Sequence, residues 1–167
     1  VSLSVVAASV KETNVPPTRL GATPADVGLA ATDVEVVTAD GVVLSAWWIP
    51  GDGASAVVLL HGAGSTRSSV LDQAAVLAEE GHGVLALDAR GHGTSGGRAM
   101  DFGWYGDLDV MAAVDHLVAR PEVDQDRIAV VGMSMGGEEA VGAAAADPRI
   151  AAVVAEGATS RTAQDKS

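Results

Sequence analysis

Apolar residues in this chain occur in two kinds of run, and each kind is typical of a β-strand. Two alternating runs between Asp33 and Gly51 are separated by Ala39-Asp40-Gly41, which favours a tight turn, so we predict an antiparallel hairpin. Continuous apolar runs are typical of strands that are covered on both faces of a sheet. These runs lie at residues 56–60, 84–87, 128–131 and 150–155.

Between the strands, apolar residues recur at intervals of three and four, which predicts helices. The first helix is expected from about Ser68 to Glu80, the second from about Tyr105 to Ala119, and the third between Ser134 and the Asp147-Pro148 pair. Strands that alternate with helices through short loops predict an α/β fold with a doubly wound, mostly parallel sheet and an antiparallel hairpin at its start. In such sheets the ligand site lies at the carboxyl ends of the strands.

The first 31 residues differ in composition from the rest. Residues 1–10 are apolar or small, and residues 11–31 contain three of the six prolines. We therefore divide the chain into an apolar end with a proline-containing linker, 1–31, and an α/β core, 32–167. The apolar end is too short to cross a bilayer. It is either the remainder of a signal or membrane anchor upstream of Val1, which we favour and which implies a membrane-anchored or exported protein, or an end without fixed structure on a cytoplasmic protein.

Composition narrows the classes of partner. A net charge of −12 argues against binding to nucleic acid or to an anionic membrane surface. The absence of cysteine excludes disulfides and thiolate chemistry. The four histidines lack the spacing of metal ligands, so neither a metal nor a cofactor is expected.

The sequence Gly132-Met133-Ser134-Met135-Gly136 lies between a predicted strand and a predicted helix. A serine in so tight a turn is lifted clear of the sheet, and its hydroxyl projects beyond the carboxyl end of the strand. Side chains in place of Gly132 and Gly136 would collide with neighbouring backbone. The helix that follows favours negative charge at its first turn. We therefore predict that Ser134 is a nucleophile; a surface turn without chemistry is the alternative.

Acyl transfer also needs donors for the oxyanion that forms on the substrate carbonyl. The backbone N–H of Met135 is one expected donor, because it follows the nucleophile at the start of a helix. The N–H of Ala63 is the expected second donor, since the glycine-rich sequence 61–64 follows a neighbouring strand. His61 and Gly62 are expected to shape that loop.

A third glycine-rich loop, 88–97, follows the strand at 84–87. We expect Asp88 and Arg90 to fix a sharp turn there. At the other end of the nucleophile helix, Asp147 before Pro148 is expected to end the helix. All three glycine-rich loops fall at the carboxyl ends of strands, so the sequence predicts one site at that edge of the sheet.

Taken together, HGAG (61–64), DARGHGTSGG (88–97) and GMSMGG (132–137) resemble the α/β-hydrolase superfamily, in particular its branch of serine esterases and serine aminopeptidase-like hydrolases. The resemblance covers about Val34 to Ala158. It implies Ser134 as nucleophile and the N–H groups of Ala63 and Met135 as oxyanion donors. It also implies a small-molecule substrate, either a carboxylic ester or, as the alternative, an amide.

One departure from the superfamily concerns the base. The superfamily's acid and histidine follow its nucleophile, whereas all four histidines of this chain precede Ser134. We expect the sequence to be an N-terminal fragment of the domain, truncated after the sixth strand and inactive by itself. His61 or His92 as an unusual base, and a non-catalytic binding module, are the alternatives. Truncation would leave Ile150–Val154 as an unprotected edge strand through which copies self-associate.

Overall fold

A computed structural model describes residues 17–98 and 106–159. Within these ranges six strands form one sheet in the order β1-β2-β4-β3-β5-β6. The strands are β1 (Thr32–Val37), β2 (Val43–Ile49), β3 (Ala56–Leu60), β4 (Gly83–Leu87), β5 (Ile128–Met133) and β6 (Ile150–Glu156). The α-helices are α1 (Leu71–Glu79), α2 (Gly106–Val118) and α3 (Met135–Ala146), and single 3-10 turns span Pro24–Val27 and Arg67–Val70.

The predicted fold class is confirmed. β1 and β2 form the antiparallel hairpin, and β2 is also antiparallel to β4. The β3–β4, β3–β5 and β5–β6 pairs are parallel. The predicted strands and helices are present, with ends that differ by at most a few residues. The first predicted helix begins as the 3-10 turn at Arg67–Val70, where the Thr66 hydroxyl accepts the N–H of Ser68. Tyr105, the predicted first residue of the second helix, lies outside the described residues.

The core lies on both faces of the sheet. Every residue of β3 and β4 is buried, and alternate residues contact opposite clusters. Leu60, Leu85 and Leu87 belong to the larger cluster with Leu117 of α2, whereas Leu59 belongs to the smaller one. Coverage on both faces explains why these strands read as continuous apolar runs.

The described part of the predicted linker packs on the core. Pro24 begins a 3-10 turn and is buried, and the Ser68 hydroxyl donates a hydrogen bond of 2.7 Å to the carbonyl of Ala22. The Thr18 hydroxyl donates one of 2.8 Å to the carbonyl of Gly64. The predicted apolar end lies outside the described residues. Among the helices that are described, none is long and apolar enough to span a bilayer.

β6 lies at one end of the strand order and pairs with β5. Ala151 is an extra residue in this pairing, because Ile150 pairs with Ile128 and Ala152 with Ala129. This bulge was not predicted, and a bulge at an edge hinders pairing with another chain. Val154 is 58% exposed. Self-association through 150–154 stays a prediction.

Candidate active site

Ser134 lies in a strained turn between β5 and α3. Its backbone angles are φ 53° and ψ −115°, and it is the one non-glycine residue with positive φ among residues 17–98 and 106–159. Such a conformation persists only where the surrounding structure holds it. Here the N–H of Ser134 donates to the carbonyl of Glu156 at 2.7 Å, and the carbonyl of Ser134 accepts the N–H of Glu138 at 3.1 Å. The residue is exposed.

The two glycines of the turn are needed because α3 begins in contact with two strands. A Cβ atom on Gly132 would lie 2.1 Å from the carbonyl oxygen of Gly136. A Cβ atom on Gly136 would lie 2.7 Å from both the His61 carbonyl oxygen and the Leu60 Cβ atom. A side chain on either glycine would therefore push the start of α3 away from the neighbouring strands.

The loop at 61–64 lies directly beside Ser134. A Cβ atom on Gly62 would lie 3.4 Å from the Cβ atom of Ser134. Ala63 follows Gly62 and is exposed, and it is beyond the end of the β3 ladder at Leu60. Met135 is the first residue of α3. The structure thus brings the loop that contains Ala63 next to Ser134 and the start of α3.

His61 is buried, with 1% of its surface exposed, and both ring nitrogens contact backbone. Nε2 accepts the N–H of Ala89 at 3.1 Å. Because a backbone N–H can only donate, the ring proton is on Nδ1, which donates to the carbonyl of Gly62 at 2.7 Å. Burial lowers the pKa of His61 to about 4. The ring is therefore neutral at pH 7.

His92 is held in the same way. Its Nε2 accepts the N–H of Gly64 at 3.1 Å, so Nδ1 carries the proton and donates to the carbonyl of Arg90 at 3.0 Å. The rings of His61 and His92 are 5.1 Å apart. Neither ring could accept a proton from Ser134 without breaking a backbone hydrogen bond.

The other two histidines have partners elsewhere. His82 Nδ1 is 2.6 Å from the Ser55 hydroxyl, and both residues precede strands, at the opposite edge of the sheet from Ser134. His116 Nε2 is 3.2 Å from an Arg120 nitrogen. Each of the four histidines thus has a partner other than Ser134. Within the described ranges, no group of three His, Asp or Glu side chains could hold a metal ion.

Two buried arginines, Arg67 and Arg90, hold the turn after β4. Only Arg90 was predicted from the sequence. Asp88 is fully buried and accepts hydrogen bonds from the backbone and the guanidinium of Arg67. Arg67 also lies 4.5 Å from the centre of the Trp47 ring. Nothing local distinguishes Arg67 from a solvated arginine, since its partner is 21 residues away. Asp88 therefore joins Arg67 to the turn, and it also accepts the backbone N–H of Thr94 within the turn at 3.0 Å.

Arg90 has different partners from Asp88. Its Nε and backbone N–H donate to Asp109 at 2.7 and 2.8 Å, and Asp109 is fully buried in α2. Its Nη1 donates to Asp40 at 2.7 Å. Hydrogen bonds from Arg90 lower the pKa of Asp40 to about 2. The guanidinium therefore connects the turn after β4 to the β1–β2 hairpin and to α2.

The buried neutral state of His61 predicts a loss of stability in mild acid. Between pH 6.5 and about 4 the unfolded chain binds a proton at this residue and the folded chain does not. Stability therefore rises with pH across this window, and acid favours unfolding. The two pH units from pH 6.5, the unfolded pKa, down to pH 4.5 correspond to roughly 2 to 3 kcal/mol. We expect the free energy of unfolding, measured by urea titration, to fall by this amount from pH 7.5 to pH 4.5.

His61→Asn should flatten this dependence, since asparagine does not titrate. His116→Asn is the matched control: burial also lowers the pKa of His116, but that residue is only half-buried, so most of the dependence should remain. Equal pH dependence in the wild type and His61→Asn would contradict the prediction.

A strained serine at a strand-to-helix turn, beside a glycine-rich loop on the carboxyl edge of a mostly parallel sheet, defines the α/β-hydrolase class. Comparison with known proteins agrees. Residues 52–165 match the model of a family described as serine aminopeptidase, S33, and the chain belongs to this family of α/β-hydrolases.

Several relatives are similar over most of the chain. An uncharacterised protein of Mycobacterium tuberculosis is 37% identical over 75% of this chain and 45% of its own length. A polyketide transferase of Penicillium is 31% identical over 76% of this chain and 45% of its own length. A solved Pyrococcus furiosus esterase has a TM-score of 0.79 at 36% identity, over 87% of this chain and 58% of the esterase. The chain thus spans about half the length of the curated relatives it matches.

Proposed function

We propose that this chain carries the nucleophile and the oxyanion donors of a serine hydrolase that cleaves carboxylic esters. The observation that carries the proposal is the strained, exposed Ser134 beside the loop at 61–64. The Ser134 oxygen attacks the ester carbonyl carbon, and the N–H groups of Ala63 and Met135 hold the resulting oxyanion. The alcohol leaves with a proton, and water then releases the acid from Ser134.

The proton of the Ser134 hydroxyl needs an acceptor, because a protonated serine is a weak nucleophile. His61 and His92 use both ring nitrogens on backbone groups, and His82 lies at the opposite edge of the sheet. The reaction therefore needs a base that the histidines of this sequence do not supply. This is why we expect the chain by itself to be nearly inactive.

An amide substrate is the second candidate. The family description, serine aminopeptidase, supports peptide or amide hydrolysis, whereas the structural similarity to an esterase supports ester hydrolysis. Both reactions use the same acyl-enzyme on Ser134, and they differ in the group that leaves. We propose a small-molecule substrate in either case.

Chemical rescue with imidazole tests the proposal on this chain as it is. A fluorophosphonate probe should label Ser134 slowly at pH 8, because the base is lacking. Added imidazole should accelerate the labelling by about tenfold or more, since general-base assistance is typically worth at least that much. The site and rate are read by mass spectrometry of tryptic peptides over time.

Two controls make the result specific. Ser134→Ala should remove the rescued labelling. Ser55 should stay unlabelled, although its hydroxyl lies 2.6 Å from a His82 nitrogen, because it lies at the opposite edge of the sheet. No labelling of Ser134 even with imidazole would favour a non-catalytic binding module. Rapid labelling without imidazole would show that a base is already present.

A further inference from the structure

The loop that supplies the proposed oxyanion donor has a glycine on each side of that donor. Ala63 lies between Gly62 and Gly64, and Gly64 has a φ of +72°. Glycine adopts many backbone conformations, so sterics alone do not fix the peptide planes on either side of Ala63. Hydrogen bonds must therefore determine where the N–H of Ala63 points.

The carbonyl of Gly62 accepts two of these hydrogen bonds. Its donors are Nδ1–H of His61 at 2.7 Å and the N–H of Ser65 at 3.2 Å. This carbonyl and the N–H of Ala63 belong to one trans peptide, in which C=O and N–H point in opposite directions. The N–H of Ala63 therefore points away from the buried ring of His61, and Ala63 and Ser134 are both exposed.

The proton of His61 is placed by a second loop. The N–H of Ala89, which follows β4, donates to Nε2 and thereby confines the ring proton to Nδ1. A continuous series of hydrogen bonds thus runs from Ala89 through the His61 ring to the peptide of Ala63. Such series strengthen each member by polarisation.

Gly64, the next residue of the loop, is held at both its N–H and its carbonyl. Its N–H donates to His92 Nε2 at 3.1 Å, and its carbonyl accepts the Thr18 hydroxyl at 2.8 Å. Fixing this N–H also fixes the carbonyl of Ala63 in the opposite direction. A carbonyl turned toward the site would repel an oxyanion. The hydrogen bond from Gly64 to His92 therefore also favours binding of the oxyanion.

We propose that His61 is a positioning residue of the oxyanion loop, and that its Nδ1–H orients the peptide of Ala63 so that the N–H faces the substrate oxygen. His92 holds the following peptide. This inference rests on the proposed function, because it assigns to His61 the orientation of a donor that matters only if Ser134 is acylated.

Two substitutions separate the contacts of the His61 ring. His61→Asn places an amide near the position of Nδ1, so it can still donate to Gly62 but loses the acceptor for Ala89. His61→Gln places its amide near Nε2, so it can still accept from Ala89 but loses the donor to Gly62. Both variants lose one buried hydrogen bond, which makes them a matched pair for stability.

The pair is compared by imidazole-rescued phosphonylation of Ser134, with melting temperatures measured in parallel. We expect His61→Gln to be labelled about tenfold or more slowly than His61→Asn, because misplacing one oxyanion donor has an effect of at least this size. A merely structural role would make the two rates follow the two melting temperatures. Equal rates, or a faster His61→Gln, would overturn the proposal.

Nitrogen NMR of the wild-type histidines supplies a readout that does not depend on catalysis. The inference requires a protonated Nδ1 and an unprotonated Nε2 in His61 at pH 7, and the reverse tautomer would overturn it. If the tautomer is as expected but imidazole produces no labelling at Ser134, the proposed function fails and the role in positioning fails with it. If wild-type labelling is rescued but the variants do not differ, only the positioning role fails.

Discussion

Gly132→Ala is expected to lower the free energy of unfolding by about 3 kcal/mol or more, the upper end of what overpacking costs. The new Cβ atom would lie 2.1 Å from the carbonyl oxygen and 2.3 Å from the carbonyl carbon of Gly136. These are backbone atoms in the first turn of α3, so they cannot move aside as a flexible side chain could. Relief requires α3 to move away from β5, which would also disturb the turn that holds Ser134. A typical domain has a total stability of about 5–15 kcal/mol, so this loss is a large share of it, although the chain would still fold.

Gly142→Ala is the matched control in the same helix. No atom lies within 4 Å of a Cβ atom placed there, so the substitution should leave the stability unchanged or raise it by up to about 1 kcal/mol. Urea unfolding followed by the fluorescence of the buried Trp47 and Trp48 measures both variants. If Gly132→Ala were as stable as Gly142→Ala, the glycines of the turn would not be required by the contact between helix and strand.

The strands were predictable from the sequence because their burial is nearly uniform. Residues 56–60 and 83–87 are buried throughout, and continuous burial demands a continuous apolar run. The antiparallel pairing of β2 with β4 was not predictable, since it joins segments almost forty residues apart and leaves no local pattern. The bulge at Ala151 was missed for a similar reason: it depends on the register with β5.

Some residues of the candidate site were likewise predictable from the sequence, and others were not. Ser134, Gly132 and Gly136 lie within five residues, and the contacts of Gly132 come from the turn itself, whereas those of Gly136 come from Leu60 and His61. From the sequence His61 was expected to shape its loop, but His61 or His92 as an unusual base remained an alternative. One contact of each ring is with backbone 28 residues away, so only the structure shows that both ring nitrogens are already used.

Breaking the Arg67–Asp88 pair is the second change expected to have a large effect. The two side chains are 5% and 0% exposed, so removing one partner leaves the other with a buried charge that lacks its counterion. Asp88→Asn and Arg67→Met should each lower the free energy of unfolding by about 3–5 kcal/mol. The effect extends to the site, because the Arg67 guanidinium also donates to Thr94, in the same loop as His92, at 3.0 Å.

The double variant distinguishes the ion pair from the packing around it. Once both charges are gone, neither is left buried alone, so the double variant should lose less stability than the two single losses added together, by about 0.5–3 kcal/mol. Glu122→Gln is the surface control: Glu122 contacts Arg120 at 3.1 Å but its side chain is 50% exposed, so this substitution should change the stability little. Guanidinium unfolding of all four variants measures these terms. Strict additivity would mean that the two buried charges do not interact.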